Sequence, residues 1–308
     1  MRVTSLFVAS TLGAWTAVVA RSVGSSTLQN ILKDTDGSPE YHYPTDFTRE
    51  IIPLARSTVV WLTTSSNFSD YWRDRPVYSA IAAGCISIEA DVWLIDGTLY
   101  VGHHKASLTK ERTFKALYID QILRILERLN PRTEFEPTST KHGVFDTDTR
   151  QTLYLFIDIK TDGVETWRQV SKELQPLRDL GYLTTVEAGS RSAGPVTVIG
   201  TGNTPLNLVE ELTTRDYFYD APLADLHRLE NITSLISPMA STSFKRAVGA
   251  VDSDEEDLLS SDQLETLRSQ INVAKSRGIG ARYWETPSWP IRKRNEIWRV
   301  LLKEVWHC

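Results

Sequence analysis

Glu89 and Asp91 stand two residues apart in the segment GCISIEADVWLIDGTLYVGHH, residues 84–104. If the segment is extended, they share a face with Ser87 and Trp93, while Ile86, Ile88, Ala90, Val92 and Leu94 take the other. Side chains at i and i+2 of a strand stand about 7 Å apart at the backbone, near enough for both carboxylates to reach one hard cation. Asp96-Gly97 predicts a two-residue turn, and the returning strand brings His103 toward the acids. A second pair, Asp158 and Lys160, ends the run LYLFIDIK, again two apart on one face. Three carboxylates without a thiolate suit Mg2+ or Ca2+ better than zinc. The Lys160 ammonium beside such an ion could hold phosphate oxygens, and His103 could protonate a leaving oxygen. Phosphodiester cleavage is the reaction class these groups suit. The alternative is a sheet edge with its acids in water. Against it stands the apolar opposite face, which implies a strand covered on both sides, where charges need a partner.

The elements around these residues alternate. Strand composition appears at residues 57–64, 86–94, 153–160, 195–200, 216–221, 234–240 and 280–285. Helical periodicity appears at 76–83, at 113–129, after Gly163 with Val164, Trp167, Val170, Leu174 and Leu177 as its buried stripe, and at 290–304. A further helix, 261–277, has Ser260 and Gln263 placed as a capping box and Gly278 as its stop. Residues 130–150 read as a polar surface excursion. Strand then helix, repeated, predicts a parallel sheet with helices outside: an α/β fold of the TIM (β/α)8 type. Seven barrel strands are found and the eighth is missing, so the first and seventh strands are expected to have unpaired edges. In such a fold, polar residues at the C-terminal ends of the strands form the site.

The chain has 308 residues, 41% hydrophobic and 24% charged, ample for a large core. A net charge of -5 with no dense Lys/Arg cluster speaks against nucleic-acid binding. Arg2 followed by an apolar run to Ala20 has the layout of a secretory signal peptide over residues 1–20, with an uncleaved membrane anchor as the alternative. Sequons at Asn67 and Asn231 are compatible with secretion to the exterior. Residues 21–56 read as a leader and 57–308 as the barrel. With only Cys85 and Cys308 there is no disulfide framework, and Cys85 reads as a small core residue.

The segments YWRDRPVYSAIAAGCISIEADVWLIDGTLYVGHHKASL, LYLFIDIKTDG, VTVIGTGNTP, FYDAPLADL and GARYWETPSWPIRKRNEIW resemble the fungal family named altered inheritance of mitochondria protein 6. That family is similar to the glycerophosphodiester phosphodiesterases and spider-venom sphingomyelinase D enzymes, the PLC-like phosphodiesterase barrels. The resemblance implies Glu89, Asp91 and Asp158 as metal ligands, His103 as one of two catalytic histidines and Lys160 as a phosphate contact. It also implies Trp284 as an active-site aromatic. In the related enzymes a neighbouring substrate hydroxyl attacks phosphorus. Two departures stand out: Phe68 occupies the place of the other catalytic histidine, and the chain ends in Val305-Trp306-His307-Cys308 where the family continues into a last strand.

Duller readings accompany these residues. His104 is a neighbour whose side chain points away from that of His103. Asp220 either faces the substrate or caps the short helix after Pro222. Trp284 is either barrel filling or a substrate platform. Three functions follow: a metal-dependent hydrolase of a lipid or glycerol phosphodiester, in transient contact with a membrane surface; a weakened or inactive barrel that binds a phosphate ligand; and a glycoside hydrolase, disfavoured because Glu89 and Asp91 sit on one strand.

Overall fold

The computed structural model describes residues 60–62 and 73–307, apart from 83, 139, 147 and 252–257. The expected signal segment, the leader and Phe68 lie outside the described residues. In chain order the elements are β1 (Val60–Leu62), α1 (Pro76–Ala82), β2 (Ser87–Ile95), β3 (Thr98–Val101), α2 (Asp120–Leu129), β4 (Leu153–Ile159), α3 (Gly163–Glu173) and α4 (Gln175–Asp179). There follow β5 (Thr185–Glu187), β6 (Ser190–Ser192), β7 (Val196–Gly202), α5 (Asn207–Glu210), β8 (Thr214–Arg215) and β9 (Tyr217–Pro222). The last are β10 (Met239–Ser243), α6 (Phe244–Ala247), α7 (Ser261–Ser276), β11 (Gly280–Trp284) and α8 (Ile291–His307). Among the described residues no helix is long and apolar enough to cross a membrane.

The main sheet runs β1-β11-β10-β9-β7-β4-β2-β3, parallel except for the β2–β3 hairpin. The fold is therefore α/β, as the alternation predicts. β1 pairs with β11, Val60 opposite Ala281 and Leu62 opposite Tyr283. This corrects the expectation of an unpaired seventh strand: the first strand covers that edge. No strand pairing joins β1 to β2 among the described residues.

Alternation divides each strand between two cores. Ile88, Ala90 and Val92 of β2, Leu155, Ile157 and Ile159 of β4 and Val198 of β7 pack outward against the helices. Ala221, Ala240, Ala281 and Tyr283 do the same for β9 to β11. On the opposite face Phe156, Ile199, Phe218 and Met239 form a separate apolar plug with Val186. Val186 comes from a small unforeseen sheet, β6-β5-β8, whose strands β5 and β6 lead into β7 and whose β8 leads into β9, so that it lies toward the N-terminal ends of the parallel strands. Above the plug the same face turns polar.

That face is concave. β11 and β2 are five strand spacings apart in the sheet, about 24 Å if it were flat. Yet the Arg282 guanidinium on β11 meets the Glu89 carboxylate on β2 at 2.6 Å. Only a sheet curled strongly about this face permits that contact.

Several local expectations need correction. The strand expected at 234–240 is β10, shifted to Met239–Ser243, because Pro238 has no N–H for a central ladder and Ile236 and Ser237 close a turn on Thr233 instead. Val164 is 45% exposed rather than buried, since it sits in the first turn of α3, and the helix stops before Leu174 to restart in α4. Residues 130–150 are not purely a surface excursion: Val144 and Phe145 are fully buried. A π-helical turn, Lys115–Ile119, precedes α2. The capping box at Ser260 and Gln263 is present with both hydrogen bonds, and Gly278 follows with φ +68.

Candidate metal and phosphate site

The acids converge because the sheet register aligns them. β2 and β4 pair with Asp91 opposite Asp158, and Glu89 sits one inward position earlier, opposite Phe156. Glu89, Asp91 and Asp158 each present an oxygen within 4.8 Å of the other two. The turn at Asp96 and Gly97, with φ 48 and 77, returns β3 antiparallel to β2. Positive φ at both residues is the type I′ geometry whose twist matches that of the flanking strands. Past β3, the Gly102 N–H donates to the Asp91 carbonyl and its own carbonyl accepts from the Trp93 indole, fixing the chain where His103 begins. His103 Nδ1 then lies 3.0 Å from Asp91 Oδ2, with the ring 52% exposed. Against the expectation that it points away, His104 packs edge-on against the His103 ring, and it lies exposed. Tyr118, from the turn before α2, donates its hydroxyl to the Glu89 carbonyl and braces β2 from the outer face.

Lys160 lies one step past β4, on the same face as Asp158. Its ammonium is 2.5 Å from Asp158 Oδ2 and 3.5 Å from Asp91 Oδ1, bridging the two aspartates. Burial disfavours the Lys160 charge, but Asp91, Asp158 and Glu89 outweigh it and hold its pKa above the usual value. For Asp158 burial dominates and raises the pKa, Lys160 opposes it, and Asp91 adds like-charge repulsion. The buried cluster is thus short of positive charge. Among the described residues, Glu89, Asp91, Asp158 and Asp220 face two permanent cations, Lys160 and Arg282, with the His103 ring beside Asp91, leaving a deficit that a divalent ion would fill.

The residues fit a hard cation. All three donors are oxygens, and each carboxylate commits one of them elsewhere: Glu89 Oε2 to Arg282, Asp91 Oδ2 to His103, Asp158 Oδ2 to Lys160. The other oxygen of Glu89 and of Asp158 is left for an ion, while Asp91 Oδ1 also lies 3.5 Å from the Lys160 ammonium.

Two residues of this site escaped the sequence reading. Arg282, only 2% exposed, donates from Nη2 to Glu89 Oε2 at 2.6 Å and from Nη1 to Ser241 at 3.3 Å, above the Phe156 ring. Its place two residues before Trp284 on a central strand was a usable signal: if Trp284 faces the site, so does Arg282. Gly202, with φ +64, ends β7 where a Cβ would collide with Asp158 Oδ1. The absence of a side chain there makes room for the carboxylate.

The remaining predicted residues sit around this group. Asp220 is buried, 3.7 Å from Arg282 Nη1, and meets the cluster through that guanidinium. It does not cap the following 3-10 turn, whose N-terminal residue Pro222 has no side-chain cap. Trp284 is half-buried, with the Arg246 guanidinium 5.0 Å from its ring centre.

Comparison with known proteins places this arrangement. Residues 45–220 match the model of the AIM6-like phosphodiesterase domain. An altered inheritance of mitochondria protein 6 homolog from Arthroderma benhamiae is 53% identical over 287 residues, covering 91% of this chain and 88% of that protein. Altered inheritance of mitochondria protein 6 from Lachancea thermotolerans is 36% identical over 77% of this chain and 60% of its own length. The Eremothecium gossypii protein of that name is 32% identical over 82% of this chain and 67% of its own. No solved structure matches. A domain match over more than half of the sequence, with a relative this similar across nearly all of it, means that the chain belongs to the altered inheritance of mitochondria protein 6 family of AIM6-like phosphodiesterase domains.

Proposed function

We propose that the chain is a metal-dependent phosphoric diester hydrolase on a (β/α)8-type barrel, acting on a lipid or glycerol phosphodiester. The observation that carries this reading is the convergence of Glu89, Asp91 and Asp158 beside Lys160 and His103 in a member of a phosphodiesterase-domain family. A divalent cation held by the three carboxylates would polarise a phosphoryl oxygen and offset its charge. With one oxygen of each carboxylate hydrogen-bonded to protein, monodentate binding is favoured, which supports Mg2+, an ion that takes a few monodentate ligands and keeps waters, over Ca2+, which favours more oxygens and bidentate carboxylates.

The chain's own groups then divide the work. Lys160, whose charge the acids sustain, holds a phosphate oxygen, and its bridge between Asp91 and Asp158 fixes its direction. His103 is oriented through Nδ1 by Asp91, and Nε2 is the ring atom that would pass a proton to the leaving oxygen. The neighbouring hydroxyl of the substrate is the nucleophile. Trp284 offers a ring face to the substrate from the end of β11.

Phe68, where relatives of this type carry their second histidine, favours a second reading: a barrel that binds the phosphodiester and turns it over feebly or not at all. The test is a panel of glycerol and lysophospholipid phosphodiesters incubated with purified protein in Mg2+ and in EDTA. Cleavage abolished by EDTA supports the hydrolase. Saturable binding without turnover supports the second reading, and EDTA-insensitive hydrolysis refutes the metal dependence.

A further inference from the structure

We infer that Arg282 is a positioning residue of the carboxylate centre, holding Glu89 by one oxygen, with Asp220 as the anchor that keeps the guanidinium in place. The inference rests on the reading of Glu89, Asp91 and Asp158 as a cation site. Arg282 is too buried to touch substrate, so any influence must pass through what it holds. It holds two carboxylates of unlike character. Asp220 is closed off on β9, whereas the Glu89 side chain is 31% exposed and reaches into the centre.

A merely structural role accounts poorly for this choice of residue. The layer beneath Arg282 is apolar, and a long apolar side chain in its place would continue the plug of Phe156, Phe218 and Met239. Burying a charged pair instead is at best neutral for stability. What the guanidinium adds is direction. Its plane lies over the Phe156 ring with 4.3 Å from Cζ to the ring centre, Nη1 points to Ser241 and Asp220, and Nη2 points to Glu89. A planar fork makes both contacts from one rigid group, and a lysine ammonium does not. Because Glu89 Oε2 is committed to Arg282, Glu89 is left to offer a single oxygen to the cation. Arg282 thus disfavours bidentate binding by Glu89 and with it the larger ion.

The experiment titrates Mg2+ and Ca2+ into the purified full chain by calorimetry, with melting in EDTA as a parallel measurement. The variants are Arg282→Lys, Asp220→Asn and the double change Arg282→Met with Asp220→Asn, which removes both buried charges together. Loss of a group that orients a ligand typically weakens metal binding about 10- to 100-fold. The double variant should lose Mg2+ affinity in that range while melting in EDTA no lower than wild type. Its Ca2+ affinity should fall less, so that the preference for Mg2+ narrows. Arg282→Lys should keep the fold without restoring Mg2+ affinity, and Asp220→Asn should weaken it by a smaller factor.

Mg2+ affinity within about 3-fold of wild type in Arg282→Lys and in the folded double variant overturns the inference. So does an equal loss for both ions accompanied by a matching loss of stability, which is the signature of a structural role. If the double variant does not fold, the same criteria applied to the two single variants decide. Wild-type protein that binds neither ion overturns the metal reading itself, and this inference with it; wild-type binding with unaffected variants overturns only the role of Arg282.

Discussion

Replacing Asp91 by asparagine separates what this residue does for the fold from what it does for the site. Asp91 is 9% exposed, with Oδ1 3.5 Å from the Lys160 ammonium and Oδ2 3.0 Å from His103. In an effective dielectric of about 20, the attraction to Lys160 is roughly 5 kcal/mol. Glu89 and Asp158 present oxygens within 4.8 Å of Asp91. At that separation two like-charge terms come to roughly 7 kcal/mol of repulsion in the same dielectric. Without a cation, Asp91→Asn therefore relieves more repulsion than the attraction it loses, and melting in EDTA should be unchanged or higher. With a cation the balance reverses. Loss of a group behind a ligand costs about 10- to 100-fold in metal affinity, so loss of a direct anionic ligand should cost at least ~100-fold, about 2.7 kcal/mol. The asparagine amide also puts a donor opposite either Lys160 or His103, misdirecting one of them. Calorimetric titration of Mg2+, run beside differential scanning calorimetry in EDTA, reads both effects. Mg2+ affinity within about 3-fold of wild type, or a variant that melts several degrees lower in EDTA, would refute the assignment of Asp91 as a ligand in a charge-strained centre.

Three further outcomes are expected. His103→Gln, which can still donate to Asp91, should lower kcat about 10²- to 10⁴-fold on any phosphodiester the wild type cleaves while leaving Mg2+ affinity nearly unchanged; an unaltered kcat would remove His103 from the chemistry. Gly202→Ala should weaken Mg2+ binding at least ~10-fold, because the new methyl meets Asp158 Oδ1, whereas Gly97→Ala, with open space around it, should lower stability alone through its positive φ. Burial pushes Asp220 up to about 6, with Arg282, Ser241 and Thr201 opposing it only in part. A carboxyl that holds its proton more tightly when folded stabilises fully below its unfolded value of 3.8, and that contribution disappears as pH rises through about 6. Relative to Asp220→Asn, wild-type stability in EDTA should thus decline by about 3 kcal/mol between pH 4 and 6.5 and run parallel outside that window; parallel curves throughout would refute the shift.

How much of this was legible beforehand depended on the range of each interaction. The hairpin at Asp96-Gly97 and the capping box at Ser260 are local, written in turn and cap chemistry within four residues, and both are as expected. The pairing of Asp91 with Asp158 was legible for a related reason. Alternation placed both on inward faces, and consecutive parallel strands of an α/β sheet commonly lie side by side. Errors arose where tertiary context overrode composition. The apolar residues Leu235 and Ile236 read as strand, but Pro238 withholds a ladder donor and the strand begins after it. The expectation that the seventh strand has a free edge came from counting strands, and counting cannot show that β1 lies against β11.

Arg282 shows the same limit at the site itself. Its partner Glu89 is 193 residues away in the sequence and five strands away in the sheet. Alternation can put each on the inward face, but nothing in composition or periodicity pairs the two. An arginine on a strand is usually assigned to solvent, and the one acid of GARYWE, Glu285, falls on the opposite face by alternation. The connection exists only because the sheet curls, and the curl in turn gives the polar layer its character. In a flat sheet Glu89, Asp91 and Asp158 would be a strip of acids on one side, hydrated and far from β11. Folded over the apolar plug, the same strip is half-buried, its charges are less well solvated, and Lys160 and Arg282 are drawn in beside it. The gathering of the acids' negative charge and the commitment of Glu89 Oε2 to Arg282 arise from one geometric cause. For that reason the binding of a divalent cation and the orientation of Glu89 should respond together to changes at Arg282, although Arg282 is only 2% exposed and acts through Glu89.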